Sequence, residues 1–210
     1  MAISTYAELQ TAAANWLDRT DLTSQIPNFI DLAEATFNRT IRNHRMITKN
    51  DSYSLGARYV NLPTDTLEII RIILDTSPVI TLEYLTPEEI AEQRMGLSST
   101  GKPIYFTVVG GSTNQIELLR SPGETYTSSI VYYTKIPALS DSATTNWLLT
   151  NHPDIYLFGT LVEAEPYLKN DEHMPMWSVR LSKALEELKL QSEREMHTGS
   201  SLRMRSRVLG

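Results

Sequence analysis

Two changes of hydrophobic rhythm constrain this chain most. Apolar residues recur at helical spacing up to about residue 45. They then fall into β-branched runs bounded by turn residues over 46–137, and return to helical spacing after Pro137. This pattern predicts an α+β protein: a bundle of four main helices, two N-terminal and two C-terminal, with a β-rich insert containing one short helix. Residues 1–45 and 138–198 form the expected helical bundle, 46–137 the β-rich insert, and 199–210 an extended C-terminal arm.

Local signals place the elements. Thr5 and Glu8 make a capping box, because hydroxyl and carboxylate can each satisfy a free backbone amide of the other residue. Tyr6, Leu9, Ala13 and Trp16 or Leu17 follow at helical spacing. A second stripe runs through Ile26, Phe29, Ile30, Ala33, Phe37 and Ile41, with Pro27 at its start, where a missing N–H costs nothing. In the middle region, 68–74, 79–85, 104–109, 115–119 and 129–134 read as strands, with turns at 75–78 and 110–114. Thr86-Pro87-Glu88-Glu89 starts the short helix, which is expected to run to about Met95. Asn151-His152-Pro153-Asp154 signals the next start. The helix Ile155 to Leu168 is apolar on nearly every face, so its own domain or partner subunits must bury it. A last helix runs from about Glu172 to His197, with Trp177, Leu181, Ala184 or Leu185, and Leu188 on its stripe.

Composition then removes whole classes of function. There is no cysteine, so disulfides, thiolate metal sites and a cysteine nucleophile are all excluded. No apolar run reaches the ~20 residues of a membrane span. The start MAISTYAELQ lacks the basic and apolar regions of a signal peptide, which leads to the expectation of a soluble protein made in a cytosol. The net charge of −6 opposes bulk attraction to nucleic acid or anionic lipid. That charge is unevenly spread. Arg203, Arg205 and Arg207 give 199–210 a charge of +3 with no acid opposing them, which leaves −9 for the rest. Leu202, Met204, Val208 and Leu209 are interspersed with these arginines. The segment reads either as a solvated terminus or as an arm that orders on an acidic, partly apolar groove of a partner.

The motifs of catalysis are weak. Gly96 to Pro103 matches the phosphate-binding loop G-x4-G-K-[ST] except at its last position, where proline replaces the magnesium-holding hydroxyl. It also follows a helix and opens a strand, the reverse of what a phosphate loop needs. His44, His152, His173 and His197 include no pair at zinc-binding helical spacing, so no metal or cofactor is expected. Glu163 and Glu165 point to different faces of a helix, and inter-helix or inter-subunit ion pairs explain them better than acid–base work. Two alternatives stand beside a structural role. One is a hydrolase with a dispersed active site. The other is a nucleic-acid-binding module using Arg39, Arg42, Arg45 and Lys49.

One stretch is more specific. Asn146-Trp147-Leu148-Leu149-Thr150-Asn151-His152-Pro153-Asp154-Ile155-Tyr156-Leu157-Phe158-Gly159, continued by Glu163 to Asp171, resembles the adaptor proteins of tailed phages, also called head-completion or head-to-tail connector proteins. Further similar segments are Ile26 to Arg39, Leu62 to Asp65, Leu82 to Glu88, Gly101-Lys102-Pro103, Tyr132-Tyr133, Ile136 to Ser140 and Leu202 to Arg205. The resemblance covers nearly the whole chain and is closest to the adaptors of short-tailed phages.

The resemblance implies a structural virion protein and not an enzyme. It implies a dodecameric ring, assembled in the host cytoplasm, that docks under the portal at the head–tail junction. The ring extends the DNA channel, which genomic DNA passes without specific binding, and gives a platform to the next tail component, a nozzle or tail tube. No membrane is involved. The portal-binding candidates are Leu202, Arg203, Met204, Arg205 and Arg207 of the arm. The subunit-interface candidates are Trp147, Tyr156, Phe158, Tyr167 and Trp177, and the tail-facing loop candidates are Gly110, Gly111 and Ser112.

Overall fold

The computed structural model of the chain describes residues 3–96, 100–111, 113–168 and 173–197. It divides into two compact units, Met1–His44 with Ile136–Gly210, and Arg45–Lys135. The chain is α+β, but the expected four-helix bundle with a β-rich insert is not what forms. The described residues make six α-helices and one seven-stranded sheet, curled into a half-barrel.

In the first unit, α1 (Tyr6–Leu17) and α2 (Ile26–Thr40) precede α4 (Trp147–Asn151), α5 (Pro153–Leu168) and α6 (Met174–His197). The Thr5–Glu8 capping box is present: Glu8 N–H donates to Thr5 Oγ1, and the Glu8 carboxylate accepts from Thr5 N–H. Asp18, in left-handed backbone at φ 49°, closes α1. Pro27 sits in the first turn of α2. The helices are arranged around a hub instead of sharing an axis. α5 packs against α1, α2, α4 and α6, and α6 packs chiefly on α5. The sequence missed α4, because five residues are too few to show a period. Its signal was Asn146, whose Oδ1 accepts from Leu149 N–H as an N-cap.

Gly159 explains how closely the hub is packed. A β-carbon there would overlap the edge of the Phe37 ring of α2 and lie 3.4 Å from the Ala33 β-carbon. Phe37 in turn meets the Tyr156 ring edge-to-face at 5.3 Å. Glycine thus lets two helices approach where any side chain would separate them.

The second unit is the sheet: β1 (Ile47–Leu55), β2 (Tyr59–Asn61), β3 (Thr66–Leu74), β4 (Ile80–Tyr84), β5 (Tyr105–Val109), β6 (Gln115–Leu118) and β7 (Tyr126–Thr134), in the order β1-β7-β3-β4-β5-β6-β2. β3–β4 and β5–β6 are antiparallel neighbours, joined through the turns expected at 75–78 and 110–114. β4 and β5 pair in parallel, and a parallel step requires a crossover. The crossover is α3 (Pro87–Arg94), capped by the Thr86–Glu89 box. This parallel step joins two antiparallel groups into one sheet, so the β region is a folding unit with its own core and not a set of hairpins. Leu55, Ile72, Leu74, Ile116, Leu118 and Ile130 are fully buried in that core.

Replacing Gly159 with alanine adds about 1 kcal/mol of helix propensity but overpacks the Phe37 contact by about 1–3 kcal/mol. Gly159→Ala is therefore expected to destabilise the protein by about 1 kcal/mol in urea unfolding, and Gly159→Val by more. Combining Gly159→Ala with Phe37→Leu should recover part of the loss.

Candidate functional site

The chemistry of the first unit is a buried polar clasp where α2, α4 and α5 converge. Glu34 lies on the buried face of α2, and its Oε1 accepts from Leu139 N–H at 2.9 Å and from Tyr156 Oη at 3.0 Å. Asn146 Nδ2 donates to Tyr156 Oη at 2.6 Å and to the Pro137 carbonyl at 2.7 Å. Burial raises the Glu34 pKa, only partly offset by the two hydrogen bonds it accepts. Burial and the neighbouring Glu34 charge push the Tyr156 hydroxyl far above its ordinary value. A carboxylate and a phenol locked to each other and to the backbone have no room for a substrate. They fix the 136–146 segment against the helices.

A second cluster does the same in the sheet. Glu117 Oε1 accepts from Arg58 Nη2 at 2.7 Å, Arg94 Nη1 at 2.6 Å and Tyr59 Oη at 3.0 Å. Burial pushes the Glu117 carboxyl up, but these donors outweigh it and its pKa is lowered. Arg94 Nη2 also reaches the Leu118 carbonyl at 3.2 Å, which ties α3 to β6.

The catalytic alternatives find no support in these arrangements. His44 Nε2 is paired with Glu195 at 3.0 Å, and His173 stacks on Trp177. The two main grooves contain no histidine. No group of three His, Asp or Glu side chains that could hold a metal occurs among the described residues. Of the 96–103 segment, Leu97, Ser98 and Ser99 lie outside the described residues; α3 precedes it and β5 follows it. The basic residues of the nucleic-acid alternative serve local structure. Arg42 donates to the carbonyls of Asn38 and Ile41 at the end of α2, Arg39 to Thr36 Oγ1, and Lys49 pairs with Asp51.

The interface candidates separate by burial. Tyr156 and Trp177 are buried inside the unit, and Trp147 and Phe158 are half-buried. Tyr167, at 56% exposure, is the one open to solvent. α5 thus spends its apolar surface within its own unit. The apolar surface that remains lies elsewhere. The exposed Trp16 meets Phe158 edge-to-face at 6.0 Å, and Arg180 covers the Phe158 ring at 5.7 Å. Tyr167 leans on Phe29 at 5.5 Å. On α6, Met176, Val179 and Leu190 are exposed on the side away from the buried Trp177 and Leu188, and they share that side with the exposed, paired Lys183 and Glu187. Sequence reasoning missed these exposed apolar residues because charged neighbours interrupt them. Gly110 and Gly111 stand exposed in the β5–β6 turn. Ser112 and the arm residues Leu202, Arg203, Met204, Arg205 and Arg207 lie outside the described residues.

A family model described as SU10 adaptor protein matches residues 4–205. The chain belongs to this family of phage adaptor proteins, which are structural virion components. No curated protein matches it. No helix among the described residues is long and apolar enough to cross a membrane.

The clasp predicts a signed pH effect. Because the folded-state pKa of Glu34 is raised, the wild type loses stability as pH rises past the ordinary glutamate value of 4.5. Glu34→Gln keeps an acceptor for Leu139 and Tyr156 but carries no charge. Its stability relative to wild type should improve as pH rises from that value through the raised folded-state pKa and be level on either side of that window, as read by urea unfolding between pH 4 and 8. Glu34→Ala leaves two buried donors unpaired and should cost about 2–4 kcal/mol.

Proposed function

We propose that the chain forms a dodecameric ring that docks beneath the portal of a short-tailed phage. There it extends the DNA channel and offers the platform on which the next tail component, a nozzle or tail tube, assembles. The observation that carries this reading is the family match over almost the entire chain. Two physical features support it. Exposed apolar residues of α6 (Met176, Val179 and Leu190), set among charged side chains, together with Trp16 and Tyr167, suit burial between neighbouring subunits. A body of net charge −9 repels DNA and lets it pass without sticking.

The C-terminal arm is the proposed portal contact. Leu202, Met204 and Val208 can seat in apolar hollows while Arg203, Arg205 and Arg207 meet acidic groups of the portal. Gly110 to Ser112, at the tip of a hairpin, are proposed to face the tail.

Deleting residues 199–210 should leave the circular dichroism spectrum and unfolding midpoint unchanged and abolish co-sedimentation with purified portal rings. Undiminished docking by the truncated chain would remove the arm from this role. Val179→Asp should lower the assembled fraction measured by light scattering without unfolding the subunit, because Val179 is 67% exposed.

A further inference from the structure

The seven-stranded sheet has a gap one strand wide. β3 pairs with β7 along its whole length, from Thr66 to Leu74, but β4 joins its other side only at Ile72–Leu74. β4 ends at Tyr84, and β3 is bulged between Thr66 and Glu68 and between Ile69 and Arg71. β5 runs parallel to β4 and continues past that point, through Thr107 to Val109, while β6 occupies its far side. Beyond Tyr84, the β3 edge over Thr66–Arg71 and the β5 edge over Thr107–Val109 therefore face each other with no strand between them.

A groove of about 460 Å³ lies along this gap. Its lining includes every residue from Thr66 to Arg71, together with Leu62, Leu82, Tyr84, Phe106 and Val108. A groove over one face of a strand would be lined by alternate residues. Six consecutive residues line it because the groove follows the bulged stretch of β3 along the edge that β4 leaves unpaired, where backbone N–H and C=O groups point. Ile70 at 44% and Tyr84 at 56% exposure leave apolar surface open beside it.

An extended segment fits such a place, adding a strand by backbone hydrogen bonds and seating alternate side chains. This chain has one segment of that pattern outside the described residues. When extended, 202–208 places Leu202, Met204, Ser206 and Val208 on one face and Arg203, Arg205 and Arg207 on the other. The free edge of six residues spans about 20 Å at ~3.3 Å per residue, and the seven-residue run covers that length.

We propose that the C-terminal segment of a neighbouring copy adds as a strand in this gap, antiparallel to β3 and parallel to β5, before a portal is present. The exchange rests on the ring reading above and would make each arm a link between subunits until the portal claims it.

The absence of cysteine gives a clean test. Full-length Ile70→Cys protein is mixed with chains carrying one cysteine at each position from 202 to 207 in turn, oxidised without portal, and run on a non-reducing gel. Light scattering on the untreated chain reports the ring separately. The expected result is a mixed dimer whose yield alternates about fivefold between successive arm positions, because only one strand face meets Ile70. Val79→Cys, at the far end of β4, should give none. Equal yields along the arm or no mixed dimer would each overturn the exchange. A ring without mixed dimer leaves the adaptor reading intact, whereas a monomer ends both.

Discussion

The burial of α5 inside its own unit is the constraint on which the rest of the helical part depends. Pro153–Leu168 is apolar on nearly every face, and a helix of that kind needs cover on most sides. α1, α2, α4 and α6 supply the cover. Gly159 lets α2 approach, and the Glu34–Tyr156–Asn146 bonds hold the connecting segment at the edge of the hub. With most of α5 enclosed, the proposed association would use the exposed apolar residues of α6, Trp16 of α1 and Tyr167 near the end of α5.

The sheet unit follows a different logic. Its strands are short, and two antiparallel groups become one sheet only through the parallel β4–β5 step that α3 bridges. The Arg58–Glu117–Arg94 cluster fastens that bridge. The same step has a consequence: β4 is too short to cover β3, and the sheet opens beside it.

The sequence disclosed local devices more readily than global ones. The Thr5–Glu8 and Thr86–Glu89 boxes were legible because a capping box is completed within four residues. The extent of α5 was legible because a start signal at Asn151–Asp154 is followed by apolar residues on nearly every face as far as Leu168. The single curled sheet was not, because strand pairing is set by contacts between distant segments, and nothing local in Val79–Leu85 or Ile104–Val109 marks them as parallel neighbours. Glu34 was invisible as a buried group, since a glutamate between Ala33 and Ala35 reads as a solvated position. Only the partners brought by Leu139 and Tyr156 make its burial tolerable. Tyr156 and Trp177 were taken for interface residues for the converse reason: a large aromatic on an apolar helix gives no sign of whether its own unit or a neighbour covers it.

Membership of the SU10 adaptor family gives these features a common purpose. In the proposed ring, each subunit needs a rigid interior, which the α5 hub provides, and outward surfaces that can be buried later. The most direct measurement is native mass spectrometry of the purified chain mixed with portal rings. The account predicts one portal ring carrying a dodecamer of this chain. A chain that stays a solitary monomer, with portal rings unchanged in mass at any ratio, would contradict it.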